Sequence, residues 1–385
     1  MAVIWEPKLD TDGEKWVGLA GQLTKEHFAP LAEELDRDQR YPWESVEKLV
    51  DSGLAGLFVA QEYGGQGVSF ETTCAVIETV SRGCASTGAI LTAYALGGAP
   101  LLLAGTNEQK SKYLGGLANG KAVSFALTEV GAGSDAARIK TTAVREGENW
   151  RIKGEKIFIG NGGASQYYVV FALTDPDKGT RGITAFMVDK DADGVVIDHF
   201  EDKMGIRGTQ TSNLKLDTLV EDAEILGEMN RGMRLAMQTL NGGRISVAAQ
   251  SVGVGLAGYD VGSKEAARRE TFGTPIIDNQ GISFPLADVA TELTAARMIT
   301  SEAARAFDRG DDVSVLGAMA KLYASEAAHH SVDVAVQVFG GDGYCKPCPA
   351  ERLYRDQRIL EIYEGTSEIQ RLVLGRFIKA EAEAV

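Results

Sequence analysis

Near the end of the 385-residue chain, the stretch LEIYEGTSEIQR (Leu360 to Arg371) sets a glutamate, Glu364, between an aromatic residue and a Gly-Thr-Ser turn. A carboxylate becomes a stronger general base when shelter from water raises its pKa towards the working pH. The local pattern predicts a helix starting here. Ser367 followed by Gln370 reads as a capping box, and Ile369, Leu372, Val373 and Phe377 recur at helical spacing. Glu364 falls just ahead of that start, where a negative charge feels the positive end of the helix dipole. Alone, the motif fits a carboxylate that helps to begin a helix as well as it fits a positioned base.

Four other stretches have the residue types for ligand binding. In FALTEVGAGSD (Phe125 to Asp135) a strand runs into closely spaced glycines, whose N–H groups can approach an anion such as a pyrophosphate. It is neither a GxGxxG opening a helix nor a GxxxxGK[ST] loop, and a plain strand-exit turn fits it too. In KIFIGNGG a strand ends at Phe158-Ile159-Gly160, and an aromatic there can pack on a flat cofactor or simply in a core. RRETFG with NQGISF brings an Arg, a Phe and a Gln close together; the arginine can pair with phosphate or sit solvated at a helix end. QVFGGDGY (Gln337 to Tyr344) is a Gly-rich helix exit. A fifth feature, Cys345-Lys-Pro-Cys348, could be a redox pair or half a zinc site. The four histidines supply no partner motif, and His329-His330 would point about 100° apart on a helix. Loop thiols are therefore expected, and no metal site.

These residues must be positioned by an ordinary globular framework. The composition, 44% hydrophobic and 24% charged, allows ample core. Lys+Arg 39 against Asp+Glu 54 gives −15, which argues against nucleic acid or an anionic membrane surface as a partner. No apolar run is read as long enough to span a membrane, and the start MAVIWEPKLDTDGEKW lacks a signal-peptide core, so a cytoplasmic protein is expected. Three textures follow one another: a helical region over 1–120, a β unit over 121–230 and helices over 231–385. The middle region holds short β-branched and aromatic strands such as QYYVVFALTD and GITAFMVD, separated by turn residues, and reads as an antiparallel unit. The order is that of an α+β fold with segregated layers, not a parallel α/β sheet.

Taken together in order, FALTEVGAGSD, IFIGN, KMGIRGTQTSN, RETFG, QVFGGDGY, RDQRI and IYEGTSEIQR make the chain resemble the acyl-CoA dehydrogenase family along nearly its whole length. SRGCASTG, NGGRISVAAQ and PAERLYRDQRILEIYEGTSEIQR are similar to its short-chain, butyryl-type branch. The resemblance implies an N-terminal helical domain, a central antiparallel β domain and a C-terminal four-helix bundle. It implies FAD as cofactor and a homotetramer whose neighbours complete each cofactor site. Phe125, Leu127, Thr128, Gly133 and Ser134 would line the flavin, joined by Phe158, Ile159 and Gly160. Arg269, Phe272, Gln280, Gln337 and Gly341 of a neighbour would hold the adenosine pyrophosphate. Thr366 and Glu368 complete the set. Ser134, Asn241 and Arg244 match acyl-CoA contacts, and Gly365 leaves room for close approach of the thioester.

The implied reaction is α,β-dehydrogenation of an acyl thioester in fatty acid metabolism, with an electron-transfer flavoprotein as acceptor. Glu364 is the expected base, and Glu361 a structural or solvated acid. In some branches a glutamate one residue before the arginine equivalent to Arg244 does the work; here that residue is Gly243. Three positions depart from the usual pattern: Val130 for a Pro, Phe158 for a frequent Trp, and Gly160 for a Thr or Ser that bonds flavin N5. Gly160 leaves open a dehydrogenase or oxidase acting on a carrier-protein-bound or branched acyl group. A thiol redox protein and a silent oligomeric binding protein are the readings from other classes.

Overall fold

The computed structural model describes residues 3–384; Met1, Ala2 and Val385, the outer ends of the first and last expected regions, lie outside them. The first region holds α1 (Thr11–Leu23), α2 (Ala29–Asp38), α3 (Trp43–Asp51), α4 (Phe70–Gly83) and α5 (Ala85–Ala104), then the short turns α6 (Asn107–Gln109) and α7 (Gly115–Ala118). Local chemistry sets several of these ends. Ser69 Oγ accepts from Thr72 N–H at 3.1 Å to cap α4, and Gly53, at φ 81°, supplies the left-handed turn after α3.

The middle region contains β1 (Val123–Ala126), β2 (Thr142–Glu146), β3 (Asn149–Gly160), β4 (Tyr167–Leu173), β5 (Ile183–Asp189), β6 (Val195–Phe200), β7 (Thr211–Glu221) and β8 (Ile225–Leu226). The strand order is β6-β7-β3-β2-β4-β5-β8, with β1 added beside β4. Most pairings are antiparallel as expected, but β1 runs parallel to β4, and β2 meets β4 in parallel at Thr142 and Leu173. The sheet is therefore mixed. A chain that arrives from a helix and leaves through a Gly-rich loop has no hairpin to force it antiparallel. β7 alternates buried and open residues, whereas β4 is buried on both faces because helices cover the other side of the sheet.

The third region is built on α8 (Gly232–Arg268), with α9 (Gln280–Asp308), α10 (Ser314–Phe339), α11 (Pro349–Gln357) and α12 (Ser367–Glu383). A two-stranded ribbon, β9 (Glu270–Thr271) and β10 (Thr274–Pro275), joins α8 to α9. At 37 residues α8 extends about 55 Å, the spine of the region. Its glycines admit neighbours that a side chain would push away. A Cβ on Gly253 would lie 2.3 Å from Glu78 O, and one on Gly255 3.1 Å from Ala328 Cα. One helix, Ala85–Ala104, is long and apolar enough to cross a membrane, contrary to the sequence expectation. It is 67% buried inside the protein and packs against α4, α8 and β1 as a core helix.

A buried ion pair locks the loop after β1 to β3. Lys156 is fully buried, and its Nζ donates to Glu129 Oε1 at 2.7 Å, to Phe171 O at 2.7 Å and to Leu127 O at 3.2 Å. Glu129 also accepts from the N–H groups of Lys140 and Thr141. All three ammonium protons are thus used, and the start of the Gly-rich loop is held from both strands. Burial pulls Lys156 down to about 8, against the pull of Glu129. Lys156→Met would leave Glu129 buried without its cation and should cost about 3–5 kcal/mol, read by urea denaturation. A loss below about 1 kcal/mol would show that the pair does not hold this loop.

Candidate active site

Glu364 lies in a turn between α11 and α12 where the backbone enters the left-handed region twice in succession, at Glu364 (φ 53°) and Gly365 (φ 94°). That conformation costs a non-glycine residue about 1–3 kcal/mol, so neighbours must hold it. Lys321 Nζ, from α10, donates to Gly365 O at 2.8 Å. Gln370 Nε2, one turn into α12, donates to Gly365 O at 2.8 Å and to Glu364 O at 3.3 Å. The expected capping box is therefore corrected. Thr366, not Ser367, is the N-cap, its Oγ1 accepting from Ile369 N–H at 3.3 Å, and Gln370 serves the preceding turn instead. Ser367 is buried in the first turn, its hydroxyl unpartnered. Two consecutive good cap residues leave the choice to the backbone, and the left-handed pair makes it.

The Glu364 carboxylate accepts no hydrogen bond among the described residues; two cations oppose it through space. Burial raises its pKa to about 7, while Lys321 and Arg244 hold it from going higher. Arg244 on α8 is itself buried and donates to Asn241 Oδ1 at 2.8 Å, and Asn241 Nδ2 donates to Ser314 Oγ at 2.9 Å. Arg244 Nε, Gln250 Nε2 and Gln370 Oε1 are buried without partners. Unmet polar groups gathered at one place mark a site built for a ligand. Tyr363 donates its hydroxyl to Gln250. A Cβ on Gly243 would lie 3.8 Å from Glu364 Oε2, so the alternative base position faces the same point in space. Glu361 is engaged elsewhere, accepting from Arg358 and Gln357 and paired with His329 at 2.6 Å.

The residues expected at the cofactor fall into two sets. Ile157 N–H donates to Thr128 O at 2.9 Å and Ser124 Oγ to Gly160 O at 2.7 Å, so the ends of β1 and β3 form one edge. Phe125, Leu127, Thr128, Phe158, Ile159 and Gly160 all belong to it. A bulge in β3 opposite Asn213 turns Phe158 outwards at φ 57°, leaving it 60% exposed. Phe125 and Thr128 are half-buried, Leu127 and Ile159 buried, and Gly133 and Ser134 exposed on the loop. A Cβ on Gly133 or Gly160 would meet only open space. Exposed glycine N–H groups beside a presented aromatic suit a flat ring with an anionic tail, so this edge fits a flavin. It lies beside Glu364. Asn161 Nδ2 reaches Ile90 O on α5 at 3.3 Å, and a Cβ on Gly243 would touch Leu96 Cδ1. Those two points are six residues apart, about 9 Å along the helix.

The second set lies elsewhere. Arg269 Nη1 donates to Phe339 O at 2.9 Å, which brings Gln337 and Gly341 to the ribbon carrying Phe272, with Gln280 at the start of α9. Phe272 stands fully exposed at φ 52°. Arg269 follows Arg244 by 25 residues, about 37 Å along α8. Thr366 and Glu368 stand at the start of α12, just after Glu364. The cysteines form a simple turn, Cys348 N–H donating to Cys345 O at 3.0 Å; both are free thiols. Among the described residues no group of three or more His, Cys, Asp or Glu is arranged to hold a metal ion. Sequence reading missed Lys321 and Lys156. The signal available was a lysine inside an apolar run, as in GAMAKLYA.

A helical region, a sheet and a helical bundle, with a sheltered carboxylate at the entry of the last helix, define the acyl-CoA dehydrogenase family, to which this chain belongs. Family profiles match its N-terminal domain over residues 13–121, its middle domain over 124–219 and its C-terminal domain over 230–379. The chain is 42% identical to an acyl-CoA dehydrogenase of Bacillus subtilis, over 92% of this chain and 95% of that one. It is 43% identical to a 3-(aryl)acrylate reductase of Clostridium sporogenes, with the same coverage. Butyryl-CoA dehydrogenase from Megasphaera elsdenii superposes with a TM-score of 0.95 at 36% identity, covering 97% of this chain and all of that one.

The raised pKa of Glu364 has a consequence for stability. A carboxyl held above its ordinary 4.5 in the folded state contributes stability that is present below that value and lost as pH rises through about 7. Glu364→Gln cannot ionise and escapes this loss. Its melting temperature should therefore exceed that of the unaltered protein at pH 8 by more than at pH 5. An equal difference at both would show that the carboxylate is not destabilised by folding.

Proposed function

We infer that the chain catalyses α,β-dehydrogenation of a short-chain acyl-CoA, with Glu364 as the base that removes the α-proton. The observation that carries this is a carboxylate without hydrogen-bond donors, raised to about 7 and placed beside an open flavin-shaped edge. An α-proton of a thioester is too weakly acidic for an ordinary carboxylate in water. A base poised near neutrality lowers that mismatch, and a positioned N–H lowers it further by stabilising the developing enolate oxygen. The Glu364 N–H has no acceptor among the described residues, and Gly365 beside it carries no side chain to obstruct the thioester. Arg244 and Asn241 would orient the acyl-CoA from α8, with Ser134 reaching it from the Gly-rich loop.

FAD, when bound, supplies the acceptor for the hydride that leaves the β-carbon. Phe125 to Ser134 and Phe158 to Gly160 would hold its ring, with Thr366 and Glu368 at the entry of α12. Arg269, Phe272, Gln280, Gln337 and Gly341 would hold the pyrophosphate of another copy's FAD. The roughly 37 Å along α8 between Arg269 and Arg244 supports that division, and with it a homo-oligomer, a tetramer by resemblance. An electron-transfer flavoprotein is the proposed acceptor. The same base returns the proton in the reverse reaction, so Glu364 serves a dehydrogenase and a reductase alike. A relative named as a reductase at 43% identity fits that reversibility, the direction being set by the electron partner.

Anaerobic bleaching of the flavin by butyryl-CoA, longer acyl-CoAs and acyl-carrier-protein thioesters tests this reading. Butyryl-CoA should bleach it. Glu364→Gln should retain the yellow cofactor but bleach at least about a hundredfold more slowly. Bleaching by a carrier-protein thioester and by no acyl-CoA would favour the biosynthetic alternative.

A further inference from the structure

Lys321 sits in the middle of α10, 44 residues before Gly365 in sequence, and is fully buried. A buried ammonium is costly and normally finds acceptors for its three protons, as Lys156 does. Lys321 has one at hydrogen-bond distance, Gly365 O at 2.8 Å. Packing does not explain a lysine here, since an apolar side chain of similar length would fill the space without desolvating a charge. What the position offers is a cation against the turn that carries Glu364.

The charged groups facing it come from three elements. Glu364 and Glu368 flank the entry of α12, Glu361 precedes the same turn, and Arg244 approaches from α8. Glu361 is already satisfied by Arg358, Gln357 and His329. Glu368 is exposed. Glu364 is the acid with no donor of its own among the described residues. We propose that Lys321 is the positioning residue of the catalytic turn, tethering the Gly365 carbonyl and setting a cation against the burial of Glu364. The proposal rests on Glu364 being the base.

Burial brings Lys321 down to about 8, with Glu364 holding it up, so the ammonium persists at neutral pH. The sign of the effect on Glu364 follows. A nearby cation favours the carboxylate, so removing it raises the Glu364 pKa and moves the acid limb of the rate profile to higher pH. Lys321→Met removes charge and tether; Lys321→Gln keeps a hydrogen-bond donor without the charge.

The test follows the Glu364 carboxyl by infrared titration of the holoenzyme, identified as the band absent in Glu364→Gln, beside the pH profile of flavin bleaching. Both lysine variants should shift the midpoint and the acid limb upwards by about one pH unit or more. At pH 7 a one-unit shift from about 7 appears as a fall of about fivefold in the bleaching rate at saturating thioester. Because coupling is mutual, Glu364→Gln should lower the Lys321 midpoint, read by NMR of lysine-labelled protein. That readout remains if neither lysine variant folds. Folded lysine variants with an unmoved midpoint, or an unmoved Lys321 midpoint in Glu364→Gln, would overturn the proposal. If the titrations are coupled but no acyl thioester bleaches the flavin, the assigned activity fails and the coupling stands.

Discussion

A half-buried carboxylate with no hydrogen-bond donor among the described residues is the constraint on which this site depends. Desolvation raises the Glu364 carboxyl to about 7, and the same desolvation would neutralise it outright if nothing opposed it. Lys321 and Arg244 provide the opposition at a distance, without donating to the carboxylate. Had either formed a close ion pair, the pKa would fall towards that of an ordinary salt-bridged acid and the base would be spent. The site holds a middle position between those extremes.

The fold can be understood from that requirement. Two cations must be buried, so they sit on the long helices α8 and α10, where packing fixes their stems. Glu364 stands ahead of a helix, in a left-handed turn clamped by Lys321 and Gln370. α5 sets the distance between the β3 edge and the Glu364 turn, touching the exit of β3 at Ile90 and approaching position 243 at Leu96. The sheet presents the edge formed by β1 and β3 because the buried Lys156–Glu129 pair holds the end of β1 to β3. At the far end of α8, Arg269 bonds to Phe339 O and stands about 37 Å along the helix from Arg244, so these residues and Glu364 belong to separate ends of the helical region.

Much of this was legible in the sequence, for reasons particular to each element. The helix–sheet–helix order shows because periodicity changes from 3.6 to 2 and back. Glu364 shows because the stretch around it, Tyr363 to Gln370, must satisfy a turn and a helix entry in eight residues. Ser367 misled because Thr366 before it caps equally well, and only the backbone at Gly365 decides between them. The parallel pairing of β1 with β4 joins segments about 40 residues apart and leaves no local mark. Lys321 and Lys156 were hidden for the same reason. Each looks like any charge on a helix or strand until its distant partner is placed beside it. Ala85–Ala104 shows the converse, a segment whose composition allows a membrane span and whose packing makes it core.

Proton removal can be measured apart from hydride transfer by following exchange of the α-hydrogens of an acyl-CoA with solvent deuterium, by NMR, across pH. If Glu364 is the base poised by burial between two cations, exchange rises with a single ionisation near pH 7 and vanishes in Glu364→Gln. Exchange that is flat through that range, or that persists in the variant, would contradict the account.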